Sequence, residues 1–365
     1  MPFDLTPLLV IGISSRALFD LEEEERIFQK LGLPSYRLVQ LEYENDILDP
    51  GTAFPLVKRL LALNEHGERR VEVIVISKNH PETGLRVFKS IRHHGLDISR
   101  AAFTGGEPLN RYLEAFKIDL LLSRSRDDVQ AAIDGGFAAA ELYKPPADLD
   151  WETEELRIAF DADAVLFSDE SEAIYQQQGL AAVHQHEDLN AETPLAEGPL
   201  GNLLRKLSAL RNPFDPTRPP VRIGIVTARN SPAHERVIKT LRNWGVEVDA
   251  AFFLGGLSKD SILKAFGAHI FFDDQEGHLA LASLMVPSAL VPYHSKSPLR
   301  GSPIAPDAAA EPAGPVEPVE PVEPVEPVEP VEPVEPVEPV EPVEPVEPVE
   351  PPEPPEPPEP AEPQG

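Results

Sequence analysis

The sequence predicts an α/β fold built from two tandem halves, each with a parallel sheet, followed by a disordered acidic tail. Three observations predict it. Short apolar segments alternate with helical patterns, the pattern of the first half recurs in the second, and a Pro-Val-Glu repeat ends the chain. We predict a first domain over 1–147, a second over 148–300 and the tail over 301–365.

The internal repeat is visible without gaps. Residues 71–124 and 221–274 align at an offset of 150. Upstream, Gly32-Leu33 aligns with Gly179-Leu180 at an offset of 147. Two copies of one fold are the simplest explanation of such self-similarity.

The second copy alternates apolar segments of strand length with amphipathic helical patterns. Strands that are apolar nearly throughout are typical of a parallel sheet covered on both faces, and such sheets bind ligands at the carboxyl ends of their strands. The predicted strands are 156–160, 221–226, 249–253, 268–272 and 287–291, and the predicted helices are 169–178, 232–244, 259–266 and 276–284.

Polar side chains follow these strands, where they would converge on one crevice. An Asp-x-Asp pair alone is usually a turn or a helix cap, and a lysine opening a helix is usually solvated. Two adjacent acids that end a buried strand repel each other unless a cation intervenes. Together the residues supply a carboxylate nucleophile, a second acid, a hydroxyl, a cation and metal-binding carboxylates; they are Asp161, Asp163, Thr227, Lys259, Asp273 and Asp274.

This ordered set resembles the four motifs of the haloacid dehalogenase superfamily, whose Rossmann-like fold both halves are then expected to adopt. Longer strings resemble the cytosolic 5′-nucleotidase type I family and its bacterial relatives, over about residues 8–294. These strings are Ser14–Phe19, Asp161–Ser171, Pro194–Leu200 and His269–Gln275.

The resemblance implies a Mg²⁺-dependent hydrolase of nucleoside 5′-monophosphates. Asp161 is the implied nucleophile and forms an aspartyl-phosphate, while Asp163 is the implied general acid and base. Thr227 would hold the phosphoryl oxygens. Lys259 would neutralise charge; Lys264 competes for this role, but Lys259 is at the family's position, where a helix starts.

The implied Mg²⁺ ligands are oxygens of Asp161, the carbonyl of Asp163, and one or both of Asp273 and Asp274. A small cap is expected over about 168–220. Arg229, just after Thr227, is a candidate contact for the substrate phosphate.

The first copy lacks this chemistry. Ser14 replaces the nucleophile, Arg16 the acid, Leu109 the lysine, and Ser123-Arg124 the paired acids. One interpretation is a purely structural half that packs on the catalytic one. The other is an anion site that binds a regulatory or substrate nucleotide, because arginine matches phosphate oxygens; its candidate residues are Ser14, Arg16, Ser77, Lys78 and Arg124.

Charge and composition exclude several function classes. The tail after Arg300 holds 17 Glu and one Asp without Lys or Arg, so removing it from the net charge of −30 leaves −12 for the rest. Proline at every third position excludes helix and sheet there.

We expect no nucleic-acid partner, since basic clusters are absent. Cysteine is absent, and neither a signal peptide nor a membrane span is expected, which favours a cytoplasmic protein.

Two alternatives remain open at this point. The same motifs fit a haloacid-dehalogenase-type phosphatase for another small phosphate ester, because they do not specify the leaving group. A non-catalytic nucleotide-binding protein is the other alternative, although the intact motif set of the second copy argues against it.

Overall fold

A single ten-stranded sheet organises the computed structural model, which describes residues 3–64, 68–146, 155–211, 219–229 and 233–300. The predicted tail and the domain boundary at 147/148 lie outside these residues. The strands are β1 Leu9–Ile13, β2 Val71–Ser77, β3 Arg100–Phe103, β4 Leu120–Ser123, β5 Ala139–Leu142, β6 Leu156–Phe160, β7 Val221–Thr227, β8 Ala250–Phe253, β9 Ile270–Asp273 and β10 Ser288–Leu290.

Helices connect the strands. They are α1 Ser15–Leu18, α2 Glu22–Glu42, α3 Phe54–Ala62, α4 Gly84–His93, α5 Asn110–Ala115, α6 Arg126–Asp134, α7 Glu170–Gln178, α8 Leu180–Leu189, α9 Gly201–Leu210, α10 His234–Trp244, α11 Asp260–Phe266 and α12 Glu276–Ala282. A short 3₁₀ turn covers Pro81–Thr83 and a π turn covers Ala162–Leu166. Within the described part of the chain, no helix is both long and apolar enough to span a bilayer.

The strand order is β3-β2-β1-β4-β5-β10-β9-β6-β7-β8, and every neighbouring pair is parallel except β5 with β10. The predicted α/β class with mainly parallel strands is therefore confirmed, but the sheets predicted for the two halves form one continuous sheet, because β5 pairs with β10. We call the part that carries β1–β5 the first half and the part that carries β6–β10 the second half. Each half has its five strands in the same relative order. The fifth strands of the two halves, β5 and β10, pair with each other in the middle of the sheet.

Matching backbone details recur in the two halves. Gly32 has φ 77° and ψ 180°, and Gly179 has φ 81° and ψ 178°. This left-handed region favours glycine, so the same residue type breaks the helical segment at the same place. The N–H of Ser14 donates to Leu122 O at 3.0 Å, as the N–H of Asp161 donates to Phe272 O at 2.8 Å. Ser14 and Asp161 therefore occupy equivalent positions after β1 and β6.

The apolar core runs across both halves. Leu56 and Leu60 of α3 line one small buried space together with Leu203 and Leu207 of α9. In addition, Lys206 of α9 donates to the carboxylate of Asp119 at 2.8 Å. The division of the chain at residue 147 thus does not correspond to a break in the core, and the domain boundaries stay a prediction.

Candidate active site

The carboxyl ends of β6, β7 and β9 position the site. Asp161 directly follows β6 and is 4% exposed. Its Oδ1 accepts a hydrogen bond from the N–H of Ala162 at 2.8 Å, which fixes the carboxylate at the start of the π turn. The chain then reverses at Ala164, a residue with φ of +57°. The π turn therefore begins directly after Asp161, at the edge of the sheet.

Lys259 joins two of the predicted carboxylates. Its Nζ lies 3.1 Å from Asp161 Oδ1 and donates to Asp273 Oδ2 at 2.7 Å. All three side chains are buried, although Asp161 and Asp273 come from different strand ends and Lys259 lies just before α11. The structure therefore brings Asp161, Lys259 and Asp273 together as the sequence predicts, and Lys264 is exposed on α11.

Burial and the shared cation set the protonation of these groups. Burial raises the pKa of Asp161 to about 6, although Lys259 opposes this shift. Burial also acts on Asp273, but there Lys259 and His278 outweigh it and hold the pKa at about 2. Burial lowers the pKa of Lys259, and the two carboxylates reverse that effect, so the ammonium form is favoured.

Asp274 occupies a different environment from its neighbour. Its Oδ2 accepts a hydrogen bond from the hydroxyl of Tyr293, while its Oδ1 is buried without a hydrogen-bond partner among the described residues. Burial raises its pKa well above the usual range, and the negative charges of Asp273 and Asp161 add to the shift. A buried, unpartnered carboxyl oxygen beside two other carboxylates is a site that a cation would stabilise.

His278, on α12, is a site residue that the sequence analysis missed. Its Nδ1 lies 3.2 Å from Asp273 Oδ2. Burial lowers the pKa of His278, but the hydrogen bond to Asp273 and the negative charges of Asp273 and Asp161 together outweigh burial and raise it. One ligand atom each from Asp161, Asp273 and His278 lie within 4.8 Å of one another, so these residues could hold a metal ion. The sequence did offer a signal for His278: it lies five residues after Asp273, at the start of the helix that follows that strand.

Thr227 ends β7, the strand beside β6, and is 1% exposed. Its Oγ1 accepts a hydrogen bond from the N–H of Arg229 at 3.2 Å. The register pairs Phe160 with Ile225, so Asp161 and Thr227 emerge from neighbouring strands at the same edge. Thr227 is thus at the same edge of the sheet as Asp161, as the motif order predicts.

Arg229 binds Asp163 through two parallel hydrogen bonds. Its Nε donates to Asp163 Oδ2 at 2.7 Å and its Nη2 donates to Oδ1 at 2.6 Å. Nη1 donates to Glu187 Oε2 at 2.8 Å, and Nη2 also donates to Ser171 Oγ at 2.8 Å. Arg229 therefore contacts the candidate acid, and its guanidinium donates to side chains of this site rather than standing free for a phosphate.

Glu187 of α8 anchors this arrangement, and sequence analysis missed it. Its side chain is fully buried and accepts hydrogen bonds from Ser171 at 2.7 Å and from Arg236 at 3.3 Å, besides that from Arg229. The α7–α8 pair thus contacts the site from the segment predicted as a cap. Nothing in the local sequence separates Glu187 from Asp188, the other acid of its helix, because its role depends on two arginines distant in the chain.

The predicted residues of the first half lie mostly together. Ser14, Arg16, Ser77 and Lys78 line one cavity at the carboxyl ends of β1 and β2. Arg124 does not line it; its Nη1 donates to Thr52 Oγ1 at 3.0 Å and its Nη2 lies 3.3 Å from a carboxylate oxygen of Glu22.

Comparison with known proteins indicates, independently of the structure, which family the chain resembles. A family model described as 5′-nucleotidase matches residues 1–298. Human cytosolic 5′-nucleotidase 1B is 37% identical over 300 residues, which cover 79% of this chain and 49% of the human protein. The chain therefore spans about half the length of this curated relative.

Proposed function

The chain belongs to the 5′-nucleotidase family, as the sequence resemblance predicted, and from this premise we propose that it hydrolyses nucleoside 5′-monophosphates to nucleosides and phosphate. The name of the human relative supports a nucleotide substrate and a cytoplasmic location. One observation of the structure carries the proposal: Asp161 is buried at a strand end, 3.1 Å from Lys259, which also binds Asp273. A phosphomonoester hydrolase of the haloacid dehalogenase type needs this combination of carboxylate and cation.

In the proposed mechanism, a carboxylate oxygen of Asp161 attacks the phosphorus and forms an aspartyl-phosphate, while the bond to the 5′-oxygen breaks. The hydroxyl of Thr227 and the ammonium of Lys259 hold the phosphoryl oxygens, whose charge must be stabilised throughout the transfer. Lys259 is suited to this role because its carboxylate partners keep it charged in a buried site.

Asp163 is proposed to protonate the leaving 5′-oxygen and then to accept a proton from the water that hydrolyses the aspartyl-phosphate. Both oxygens of Asp163 accept hydrogen bonds from Arg229. The proposed role requires Asp163 to exchange these hydrogen bonds for a contact with the leaving 5′-oxygen. The guanidinium would then be available to an anionic substrate.

A divalent cation fits the residues present. The unpartnered Oδ1 of Asp274 and the oxygens of Asp161 and Asp273 form a buried acidic set, and hard oxygen ligands favour Mg²⁺. We propose that these three residues hold Mg²⁺, with His278 orienting Asp273 through its hydrogen bond. The cation would supply positive charge to the phosphoryl oxygens when bound.

The two halves are proposed to be tandem haloacid-dehalogenase-like domains, of which only the second is catalytic. The common strand order, the equivalent glycines 32 and 179 and the equivalent positions of Ser14 and Asp161 support this duplication. At the positions of the nucleophile and the lysine, the first half carries Ser14 and Leu109. It therefore lacks the groups that the reaction needs.

Phosphate release from a panel of substrates tests the proposed function. The panel comprises purine and pyrimidine 5′-monophosphates, the corresponding 3′-monophosphates, and sugar phosphates, each with Mg²⁺ and with EDTA. We expect release from 5′-monophosphates that requires Mg²⁺ and disappears in Asp161→Asn. Preferential hydrolysis of sugar phosphates, or equal rates with 3′-monophosphates, would contradict the nucleotidase assignment; activity retained by Asp161→Asn would contradict the mechanism.

A further inference from the structure

A cavity of about 430 Å³ opens at the carboxyl ends of β1, β2 and β4 in the first half. Its volume lies in the range of about 300–1,000 Å³ that is usual for small-molecule sites. Ser14 lines this cavity and occupies the backbone position that Asp161 has in the second half. The cavity is therefore the first-half counterpart of the candidate active site.

The local hydrogen bonds of the two sites also correspond. Ser77 Oγ accepts from the N–H of Asn79 at 3.2 Å, as Thr227 does from Arg229. Ser123 Oγ accepts from the N–H of Ser125 at 3.1 Å, as the carboxylate of Asp273 does from Gln275 at 2.7 Å. The first half therefore has the same local hydrogen bonds to the backbone as the second half. Where the second half has the carboxylates of Asp161 and Asp273, it has the neutral hydroxyls of Ser14 and Ser123.

The floor of the cavity consists of neutral hydrogen-bonding groups. Ser15 Oγ and Ser77 Oγ lie 3.2 Å apart, and the side-chain amide of Asn79 donates to Ser15 Oγ at 3.2 Å. Hydroxyl groups can donate to phosphate oxygens without the repulsion that a carboxylate causes. Residues 14 and 123 are serines, so the carboxylates that could hold a metal ion in the second half have no counterpart at these two positions.

Two cations face the same space. Arg16 lies 3.0 Å from Glu25, and Lys78 forms an ion pair with Asp128. The Nε of Arg16 is buried and has no hydrogen-bond partner among the described residues. The two acids balance the two cations, so an incoming anion competes with Glu25 and Asp128 for them.

An aromatic wall completes the cavity. Tyr36 is buried and Phe28 is 44% exposed, and their rings meet edge to face with centroids 5.9 Å apart. Both side chains come from α2 and line the cavity on the side of Arg16 and Glu25. Aromatic side chains provide apolar area against which a flat heterocycle can pack.

We propose that this cavity binds a nucleoside monophosphate without a metal and without hydrolysing it. The phosphate binds Arg16, Lys78 and the serine hydroxyls, and the base packs against Phe28 and Tyr36. No aspartyl-phosphate forms, because residue 14 is a serine without an adjacent lysine equivalent to Lys259. This second site goes beyond the hydrolytic function and does not depend on it.

Calorimetric titration of the full chain with AMP in EDTA tests the proposal. We expect saturable binding to one site, which weakens at least about tenfold in Arg16→Ala because a charge-assisted contact is lost. Thr227→Val is the matched control in the second half and should leave this binding unchanged. Absence of AMP binding in EDTA, or binding that Thr227→Val removes and Arg16→Ala keeps, would overturn the proposal.

Two further variants keep the test independent of folding defects. Glu25→Gln and Asp128→Asn each release one cation from its internal partner, so AMP should bind about 2- to 5-fold more tightly. A misfolded variant cannot gain affinity, whereas weaker binding in both would show that the cations do not receive the phosphate. Inorganic phosphate should bind more weakly than AMP, since it does not reach the aromatic wall. Equal affinities would refute the nucleoside part of the proposal.

Discussion

Glu187 provides the sharpest test of how the second half is held together. Its fully buried carboxylate accepts hydrogen bonds from Arg229 at 2.8 Å, Arg236 at 3.3 Å and Ser171 at 2.7 Å. Glu187→Gln keeps the shape but removes the charge and turns an amide N–H₂ group toward an arginine. Breaking a buried ion pair costs about 3–5 kcal/mol. We expect the lower limit, about 3 kcal/mol, because Arg229 keeps its two bonds to Asp163.

Urea denaturation followed by circular dichroism measures this free energy of unfolding. Glu192→Gln is the matched control, because Glu192 makes the same kind of ion pair, with Lys239, from a side chain that is 87% exposed. The control should change stability by no more than about 0.5 kcal/mol. If Glu187→Gln changes stability as little as Glu192→Gln, the argument from burial and charge is wrong.

Three other predictions concern the carboxylates and the lysine. Burial raises the pKa of Asp161 to about 6, so in metal-free protein its ionisation opposes folding as pH rises from about 4 to above 6. Asp161→Asn should therefore raise the melting temperature at about pH 8 but not at about pH 4; equal shifts at both would contradict this. Lys259→Met should lower kcat for AMP about 10²- to 10³-fold, because a charge that stabilises the phosphoryl oxygens is lost. Lys264→Met, the control on the surface of α11, should leave kcat unchanged. Equal kcat values in the two variants would contradict the role of Lys259. Asp274→Asn should raise the Mg²⁺ concentration for half-maximal activity about tenfold or more, and an unchanged value would exclude Asp274 as a ligand.

The fold was predictable because its main signals are local and repeated. The apolar segments that became β6, β7 and β9 are buried almost throughout, as the parallel sheet requires. The bounds of β6 match the predicted ones, and those of β7 and β9 differ by one or two residues. For instance, β9 extends to Asp273, because that residue pairs with Leu290 of β10. The antiparallel contact of β5 with β10 joins segments far apart in the chain, and no local pattern indicated it.

The site was predictable in part, because several of its residues lie at the ends of predicted strands. Asp161, Thr227 and Asp273 end strands, and strand order alone brings such residues to one edge. The partners of Arg229 were not predictable, because Glu187 approaches from a helix whose packing the sequence does not specify. Tyr293, which binds Asp274, lies in a loop beyond β10 and carries no motif.

Trapping the covalent intermediate tests the central claim most directly. Protein turning over AMP with Mg²⁺ is quenched and reduced with borohydride, which converts an aspartyl-phosphate to homoserine, and its peptides are sequenced by mass spectrometry. The mechanism predicts homoserine at position 161, and at no other aspartate, only when substrate is present. An unmodified Asp161 in actively hydrolysing protein, or reduction at another carboxylate, would contradict the account.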